Sequence, residues 1–146
     1  MPTGRTQDAG WQIGVSRTLR ATPEQVWDLL TSSQGLAVWL GPGAQVSTER
    51  GSPWQANDGT RGEVRSHHAG DRIRLTYQPP GWDHDTTVQV ALVPASDGRT
   101  GLRFHQERLA DAEERVRQRN HWRGVMDRIE AALLSTRRPQ DGDRKA

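Results

Sequence analysis

The sequence contains no cysteine, and its aliphatic residues are few. Without cysteine the chain cannot form a disulfide scaffold, a thiolate metal site or a cysteine nucleophile. No run approaches the ~20 apolar residues of a membrane span, and residues 1–10 contain no apolar signal segment. We therefore expect a cytoplasmic protein.

Leucine, isoleucine, valine and phenylalanine together make up only 25 of the 146 residues. A fraction below about 20% indicates disorder only when the net charge is also large, and here the net charge is +2. Six tryptophans offset the shortage, because each can bury about 150–250 Å². The composition predicts one folded domain whose core is built around indole rings.

The positive charge is concentrated at the end of the chain. Residues 137–146 carry four basic and two acidic side chains, whereas the other 136 residues carry 16 of each sign. Lysine occurs once, at Lys145, so arginine is the general basic residue of this chain. A nucleic-acid-binding face needs clustered positive charge, and the arginines near the C-terminus are interleaved with acids. We predict no nucleic-acid partner.

Local patterns predict a strand, two short helices, a run of strands and a long helix. Thr22-Pro23-Glu24-Gln25 has the form of a capping box at a helix start, and Asp111 begins the last helix, which is expected to end near Leu134. Alternation predicts strands, joined by short turns, over residues 11–21, 61–68, 72–78, 85–93 and 100–108, with a further candidate over 45–50. Short connections between strands indicate an antiparallel meander.

Period-two alternation sorts the strand residues onto two faces. The apolar face collects Val64, Ile73, Leu75, Tyr77, Val88, Val90, Leu92, Leu102 and Phe104. The opposite face collects Glu63, Arg65, His67, Arg72, Arg74, Thr87, Gln89, Arg103, His105 and Glu107. The last helix is the long amphipathic segment that can cover the apolar face, so we predict an α+β fold: a curved antiparallel sheet wrapped around the C-terminal helix, with two short helices after the first strand. This domain spans residues 11–134, between a flexible leader (1–10) and a disordered basic tail (135–146).

No motif assigns catalysis or metal binding. The sequence lacks GxSxG, P-loop and HExxH patterns, and its histidines have no metal-ligand spacing. His105 and Glu107 fall on the charged face, where cross-strand pairs are ordinary. We predict no catalytic residue, no metal and no cofactor.

The large rings are too many for so small an aliphatic core, and rings of this kind commonly line concave ligand sites. We predict a cavity between the sheet and the last helix. The predicted ligand-binding residues are Trp39, Trp54, Leu75, Tyr77, Trp82, Val88, Val90, Leu102, Phe104, Arg119, Trp122 and Met126. The alternative is that the rings simply fill the core.

The order of elements resembles the helix-grip fold of the START/SRPBCC (birch-allergen-like) superfamily, and the local sequence is similar to its activator of heat-shock-protein-90 ATPase homologue branch. The matching segments are residues 21–27, 38–42, 59–64, 72–77, 100–104 and 121–129. The segment around Trp54 departs from the pattern, because Arg50-Gly51-Ser52-Pro53 stands where relatives show a Gly-Gly strand start.

The resemblance implies a hydrophobic cavity between sheet and helix. Members of the superfamily bind lipids, polyketides or other apolar molecules, and some are cyclases, aromatases or hydrolases. In the eukaryotic branch a related domain assists the heat-shock ATPase and is joined to a second domain, for which this chain has no room. We therefore expect non-catalytic binding of a small hydrophobic molecule first, an enzyme acting on an apolar substrate second, and an interaction or co-chaperone module third. A homodimer is left open.

Overall fold

The computed structural model describes residues 5–6 and 10–145, with side chains for residues 10–135. In chain order the elements are β1 (Arg5–Thr6), β2 (Gly10–Leu19), α1 (Pro23–Thr31), α2 (Ser33–Trp39), β3 (Pro53–Gln55), β4 (Arg61–His68), β5 (Arg72–Tyr77), β6 (Thr86–Pro94), β7 (Thr100–Leu109) and α3 (Ala112–Lys145), with a 3-10 turn at Ser96–Gly98.

Within the described residues the strands form one antiparallel sheet in the order β1-β2-β7-β6-β5-β4-β3. Helix α3 packs across its apolar face. The side chains that α3 buries there include Trp122, Val125, Met126, Ile129 and Leu133. Their spacing of three and four residues places them on one side of the helix. The predicted α+β helix-grip architecture is confirmed.

The two short helices begin as the sequence predicts. The Thr22 hydroxyl accepts the Gln25 backbone N–H at 3.2 Å, and the Gln25 side chain accepts the Thr22 N–H at 2.9 Å. Ser32 caps α2 by accepting the Gly35 N–H at 3.0 Å. A Cβ on Gly35 would lie 1.7 Å from the Leu29 carbonyl oxygen, so only glycine allows α1 and α2 to approach this closely.

The prediction of a strand over residues 45–50 is wrong, because that segment has no strand pairing and the strand lies at β3 instead. Trp54, at the centre of β3, is buried and donates its indole N–H to the Thr76 carbonyl at 3.1 Å. Gly62 makes room for this contact, since a Cβ there would lie 2.6 Å from Trp54 Nε1. Alternation did not reveal so short a strand, held mainly by one buried indole.

The prediction that His67 lies on the charged outer face is also wrong. A bulge between Val64 and Ser66 shifts the alternation of β4 by one residue, so His67 pairs with the buried Ile73. Its imidazole lies edge-on to Trp27 of α1, with ring centroids 5.7 Å apart.

The ends of the chain lie partly outside the described residues. The backbone of Arg5–Thr6 pairs with the start of β2, whereas residues 1–4 and 7–9 and the side chains of 136–146 are not described. The backbone of α3 continues as helix to Lys145, past the end expected near Leu134. The flexibility of the leader and the disorder of the tail remain predictions. No helix in the described part of the chain combines the length and the apolar character that a bilayer crossing requires.

Candidate ligand-binding site

Five of the predicted rings form one continuous row between the sheet and α3, which we call the aromatic row. Its ring centroids lie 6.0 Å apart for Trp39 and Phe104, 4.8 Å for Phe104 and Trp122, 5.7 Å for Trp122 and Tyr77, and 6.2 Å for Tyr77 and Trp54. All five side chains are buried. Centroid separations of about 4.5–7 Å are those of packed aromatic pairs, so neighbouring rings are in contact along the row.

The aliphatic members of the predicted set surround the aromatic row. These side chains, Leu75, Val88, Val90, Leu102 and Met126, are fully buried. Trp82 and Arg119 differ, since both are only half-buried. The fold therefore brings ten of the twelve predicted residues into one core and leaves Trp82 and Arg119 at its periphery.

Toward one end of this core the side chains become polar on all three elements together. Along β6 the inward positions run from Val88 to Thr86, and along β7 they run from Phe104 to Gln106. Along α3, the buried Gln118 lies one turn before Trp122. Side chains two residues apart on a strand, or three to four apart on a helix, lie on the same face. Thr86, Gln106 and Gln118 therefore continue the inward faces of their elements at the same end of the core.

A polar cluster in the core consists of Thr86, Gln106 and Gln118, whose side chains hydrogen-bond to one another and to neighbouring buried groups. Gln106 is fully buried, and its Oε1 accepts from Trp122 Nε1 at 2.8 Å and from Gln118 Nε2 at 3.1 Å. Its Nε2 donates to the Thr86 hydroxyl at 2.8 Å, and that hydroxyl donates to the Tyr77 carbonyl at 2.6 Å. The polar cluster thus ties α3 to β5, β6 and β7.

An ion pair lies beside the polar cluster. His84 Nε2 is 2.8 Å from Glu114 Oε1, and His84 Nδ1 is 3.0 Å from Asp83 Oδ1. The imidazole also stacks on Trp82 with ring centroids 5.2 Å apart. Burial alone lowers the pKa of His84, but the hydrogen bonds to Asp83 and Glu114 outweigh it, so the pKa is raised above its ordinary value.

Neither Tyr77 nor Arg115 is available as a general base for a substrate. Burial raises the pKa of Tyr77 to about 12, and the charge of Asp58 acts in the same direction, so the phenol stays protonated. Arg115 donates from Nε to the Gln12 carbonyl of β2 at 2.8 Å.

Among the described residues, Arg119 Nε and His121 Nε2 are buried nitrogens without a hydrogen-bond partner. Burial lowers the pKa of His121, and the charge of Arg128 acts in the same direction.

Apart from His67, the outer face of the sheet holds the charged groups assigned to it. Arg74 pairs with Glu107 across the sheet, and His105 Nε2 lies 2.9 Å from Gln12 Oε1. Burial lowers the pKa of His105. No group of three or more possible metal ligands comes together in the described part of the chain.

Open grooves lie around the core, near its rim. One of about 330 Å³ is lined by Trp27, Leu36 and His67, and one of about 300 Å³ by Leu29 and Leu133. Among the predicted residues, Trp54 lines a third groove of about 280 Å³. These grooves flank the core and do not run along the aromatic row.

Sequence reasoning did not assign Thr86, Gln106 or Glu114 to the site, although the sequence carries a signal for them. Gln106 follows Leu102 and Phe104 at the same two-residue spacing, and Thr86 precedes Val88 in the same way. Glu114 and Gln118 precede Trp122 at four-residue spacing. One further step along each strand pattern finds Gln106 and Thr86, and two further steps along the helix pattern find Gln118 and Glu114.

The profile of one protein family, described as Activator of Hsp90 ATPase homolog 1-like protein, matches residues 20–134. No curated protein sequence matches the chain. Among solved structures, DynU16, a putative protein in the dynemicin biosynthetic locus, aligns with a TM-score of 0.74 at 18% identity over 86% of this chain. The alignment covers 48% of DynU16, so this chain spans about half of that protein's length.

Two further structures align over nearly their whole length. PFC0360w, an HSP90 activator from Plasmodium falciparum, has a TM-score of 0.70 at 18% identity and covers 84% of this chain and 95% of its own. The Aha1 dimer from Colwellia psychrerythraea has a TM-score of 0.69 at 16% identity, with the same coverage of 84% and 95%. At these identities the likeness establishes the fold.

Proposed function

The chain belongs to the Activator of Hsp90 ATPase homolog 1-like family, and we propose that it binds a small hydrophobic molecule between the sheet and α3 without transforming it. The ligand is a lipid, a polyketide or an aromatic metabolite that carries one polar group. Its apolar part lies against the aromatic row, and its polar group lies at the polar cluster. The expected cytoplasmic location is part of this proposal.

The observation that carries the proposal is the buried polar cluster at one end of an otherwise apolar interface. Ligand sites are lined mostly by apolar and aromatic side chains, with a few polar groups that fix the ligand's orientation. Gln106 and Gln118 supply amide donors and acceptors, and Thr86 supplies a hydroxyl.

Because neighbouring rings of the aromatic row are in contact, a ligand can bind there only if α3, or the loop between β5 and β6, moves away from the sheet. The ligand's polar group then takes the place of one partner in the polar cluster, and its apolar part covers the ring faces that the movement exposes. The alignment with DynU16, which comes from a biosynthetic locus, supports a role beside small-molecule chemistry.

A matched pair of probes tests the proposal by equilibrium dialysis: 2-naphthol and 2-methylnaphthalene, which have nearly the same size. We expect saturable binding of both, with 2-naphthol bound about two- to tenfold more tightly, since one hydrogen bond contributes about 0.5–1.5 kcal/mol. Absence of saturable binding for both probes, and for decanol and decanoic acid, would contradict the proposal.

Two glutamine variants distinguish the interior from the surface. Gln118→Leu removes an amide from the polar cluster, so the preference for 2-naphthol is expected to disappear. Gln89→Leu makes the same change on the outer face, where Gln89 accepts from Arg74 at 3.4 Å, and should leave the preference unchanged. An equal effect of both variants would place the binding elsewhere.

The family match supports a second candidate function, assistance of a heat-shock ATPase. The aligned PFC0360w is an HSP90 activator, and the match to this chain extends over most of the domain. Addition of the purified chain to an Hsp90-type ATPase tests it directly. An increase in the rate of ATP hydrolysis would favour this candidate, whereas an unchanged rate and no co-precipitation would exclude it for that ATPase.

A further inference from the structure

We propose that the loop between β5 and β6, residues 78–85, is a lid over the polar cluster, fastened to α3 by His84 and loosened when His84 loses its proton. The role in ligand entry rests on the proposed function, whereas the fastening itself is a property of the chain.

Hydrogen bonds within the loop and at its base fix its shape. Its base is closed on the strand side, where Tyr77 pairs with Thr86, and Gln78 exchanges backbone hydrogen bonds with Arg61 at 2.9 and 3.1 Å. Its tip is a tight turn in which the Trp82 N–H donates to the Pro79 carbonyl at 3.2 Å, with Gly81 at a φ of +86°. The Gln78 side chain also donates to the Trp82 carbonyl at 2.6 Å. These contacts hold the loop's own shape and leave its attachment to α3 to other groups.

The attachment to α3 is the contact between His84 and Glu114. Both imidazole nitrogens face carboxylate oxygens, at 2.8 Å for Glu114 and 3.0 Å for Asp83. Ionised carboxylates only accept hydrogen bonds, and neutral imidazole has one donor. Both contacts are therefore satisfied only by the doubly protonated, cationic ring.

Glu114 is held in place and needs that cation. Its side chain is 8% exposed, and its Oε1 also accepts the Ala110 N–H at 2.9 Å. Asp111 accepts the Glu114 backbone N–H at 2.8 Å, which fixes the first turn of α3. A buried carboxylate without an opposite charge is unfavourable. When His84 becomes neutral, its single N–H can still donate to Glu114, but the opposite charge is lost, so opening the lid becomes easier because it lets water reach the carboxylate.

The direction of the pH response follows from the groups that face the imidazole. These are Glu114 from α3 and Asp83 from the loop itself, with the neutral ring of Trp82 stacked on one side. Together the two carboxylates raise the pKa of His84 despite its partial burial. The fastening is therefore strongest at acidic pH and is weakened, by the loss of the ion pair, as the pH rises through the pKa of His84 in the closed state.

The lid lies next to the site that it would control. Thr86 of the polar cluster follows His84 by two residues, and Gln118 follows Glu114 by one helical turn. Separation of His84 from Glu114 thus opens the core on the side where the amides of Gln106 and Gln118 lie.

Amide hydrogen exchange of residues 78–85, measured between pH 5.5 and 8.5 after correction for intrinsic exchange rates, tests the fastening without any ligand. We expect opening to become several-fold more frequent across this range, because the closed state holds the His84 proton more tightly than the open state does. His84→Gln and Glu114→Gln should give frequent opening at every pH. Glu114→Gln keeps an oxygen for the Ala110 N–H, so the helix start is preserved. His105→Gln, on the outer face, is the control and should behave as the unmodified chain.

A pH-independent opening rate in the unmodified chain, or unchanged protection in His84→Gln, overturns the proposal. Stopped-flow binding of Nile red, a neutral apolar dye, then separates the lid from the proposed function. Faster Nile red uptake that follows loop opening supports both. A titrating lid without Nile red uptake supports the fastening and counts against ligand entry. Uptake with a pH-independent loop counts against the lid alone.

Discussion

Replacement of Gln106 by leucine tests whether the polar cluster holds the sheet and α3 together. Leucine fits the volume of glutamine but leaves Trp122 Nε1 and Gln118 Nε2 without their shared acceptor. Each buried donor without an acceptor costs about 1–3 kcal/mol. The added apolar burial offsets about 1–2 kcal/mol. The two donors together cost about 2–6 kcal/mol, so after this offset we expect the free energy of unfolding to fall by about 2–3 kcal/mol.

Urea unfolding followed by tryptophan fluorescence measures this change. Gln89→Leu on the outer face is the matched control and should change the unfolding free energy by less than about 0.5 kcal/mol. Gln106→Leu combined with Gln118→Leu should recover part of the loss, because the second change removes one of the two stranded donors. If the Gln106→Leu variant were as stable as the unmodified chain, the polar cluster would not be holding the sheet and α3 together.

Two further predictions concern a glycine and a phenol. Gly35→Ala should destabilise the fold by about 1–3 kcal/mol or more, because its Cβ would meet the Leu29 carbonyl. Gly124→Ala should stabilise the fold by about 0.5–1 kcal/mol, because a Cβ at this position on α3 meets nothing within 4 Å. A thermal unfolding temperature that shifted in the same direction for both variants would contradict the packing described. Tyr77 is the single tyrosine, so ultraviolet difference titration reports it alone, and we expect an apparent pKa of about 12. Because the folded state holds this proton more tightly, stability from Tyr77 is present below pH 10.0 and is lost as pH rises through about 12; an ordinary titration near 10.0 in the folded chain would show that the phenol is hydrated.

The sequence predicted the parts of the fold that local patterns determine. The capping box at Thr22 and the four strands from Arg61 onward depend on hydrogen bonds and alternation between residues close in the chain, and the structure confirms both. The long helix and its buried stripe follow equally from local periodicity. Local rules thus sufficed for the helix-grip architecture.

The remaining features depend on contacts between distant residues. The bulge that turns His67 inward depends on the pairing of β4 with β5, and β3 depends on Trp54 reaching Thr76 across Gly62. Pattern analysis assigned Arg119 to the site for its position on the helix, but its exposure is set by how α3 lies on the sheet. Gln106 was missed because a polar residue ends an apolar pattern, although here it continues the same buried face.

The proposed ligand enters between the sheet and α3 at the polar cluster. Titration of 15N-labelled protein with 2-naphthol, followed by NMR at the indole N–H of Trp122 and the side-chain amides of Gln106 and Gln118, tests this entry site. We expect these three signals to shift together and to saturate at the same ligand concentration. Saturable shifts confined to the groove beside Trp27 and His67, with the three core signals unchanged, would contradict it.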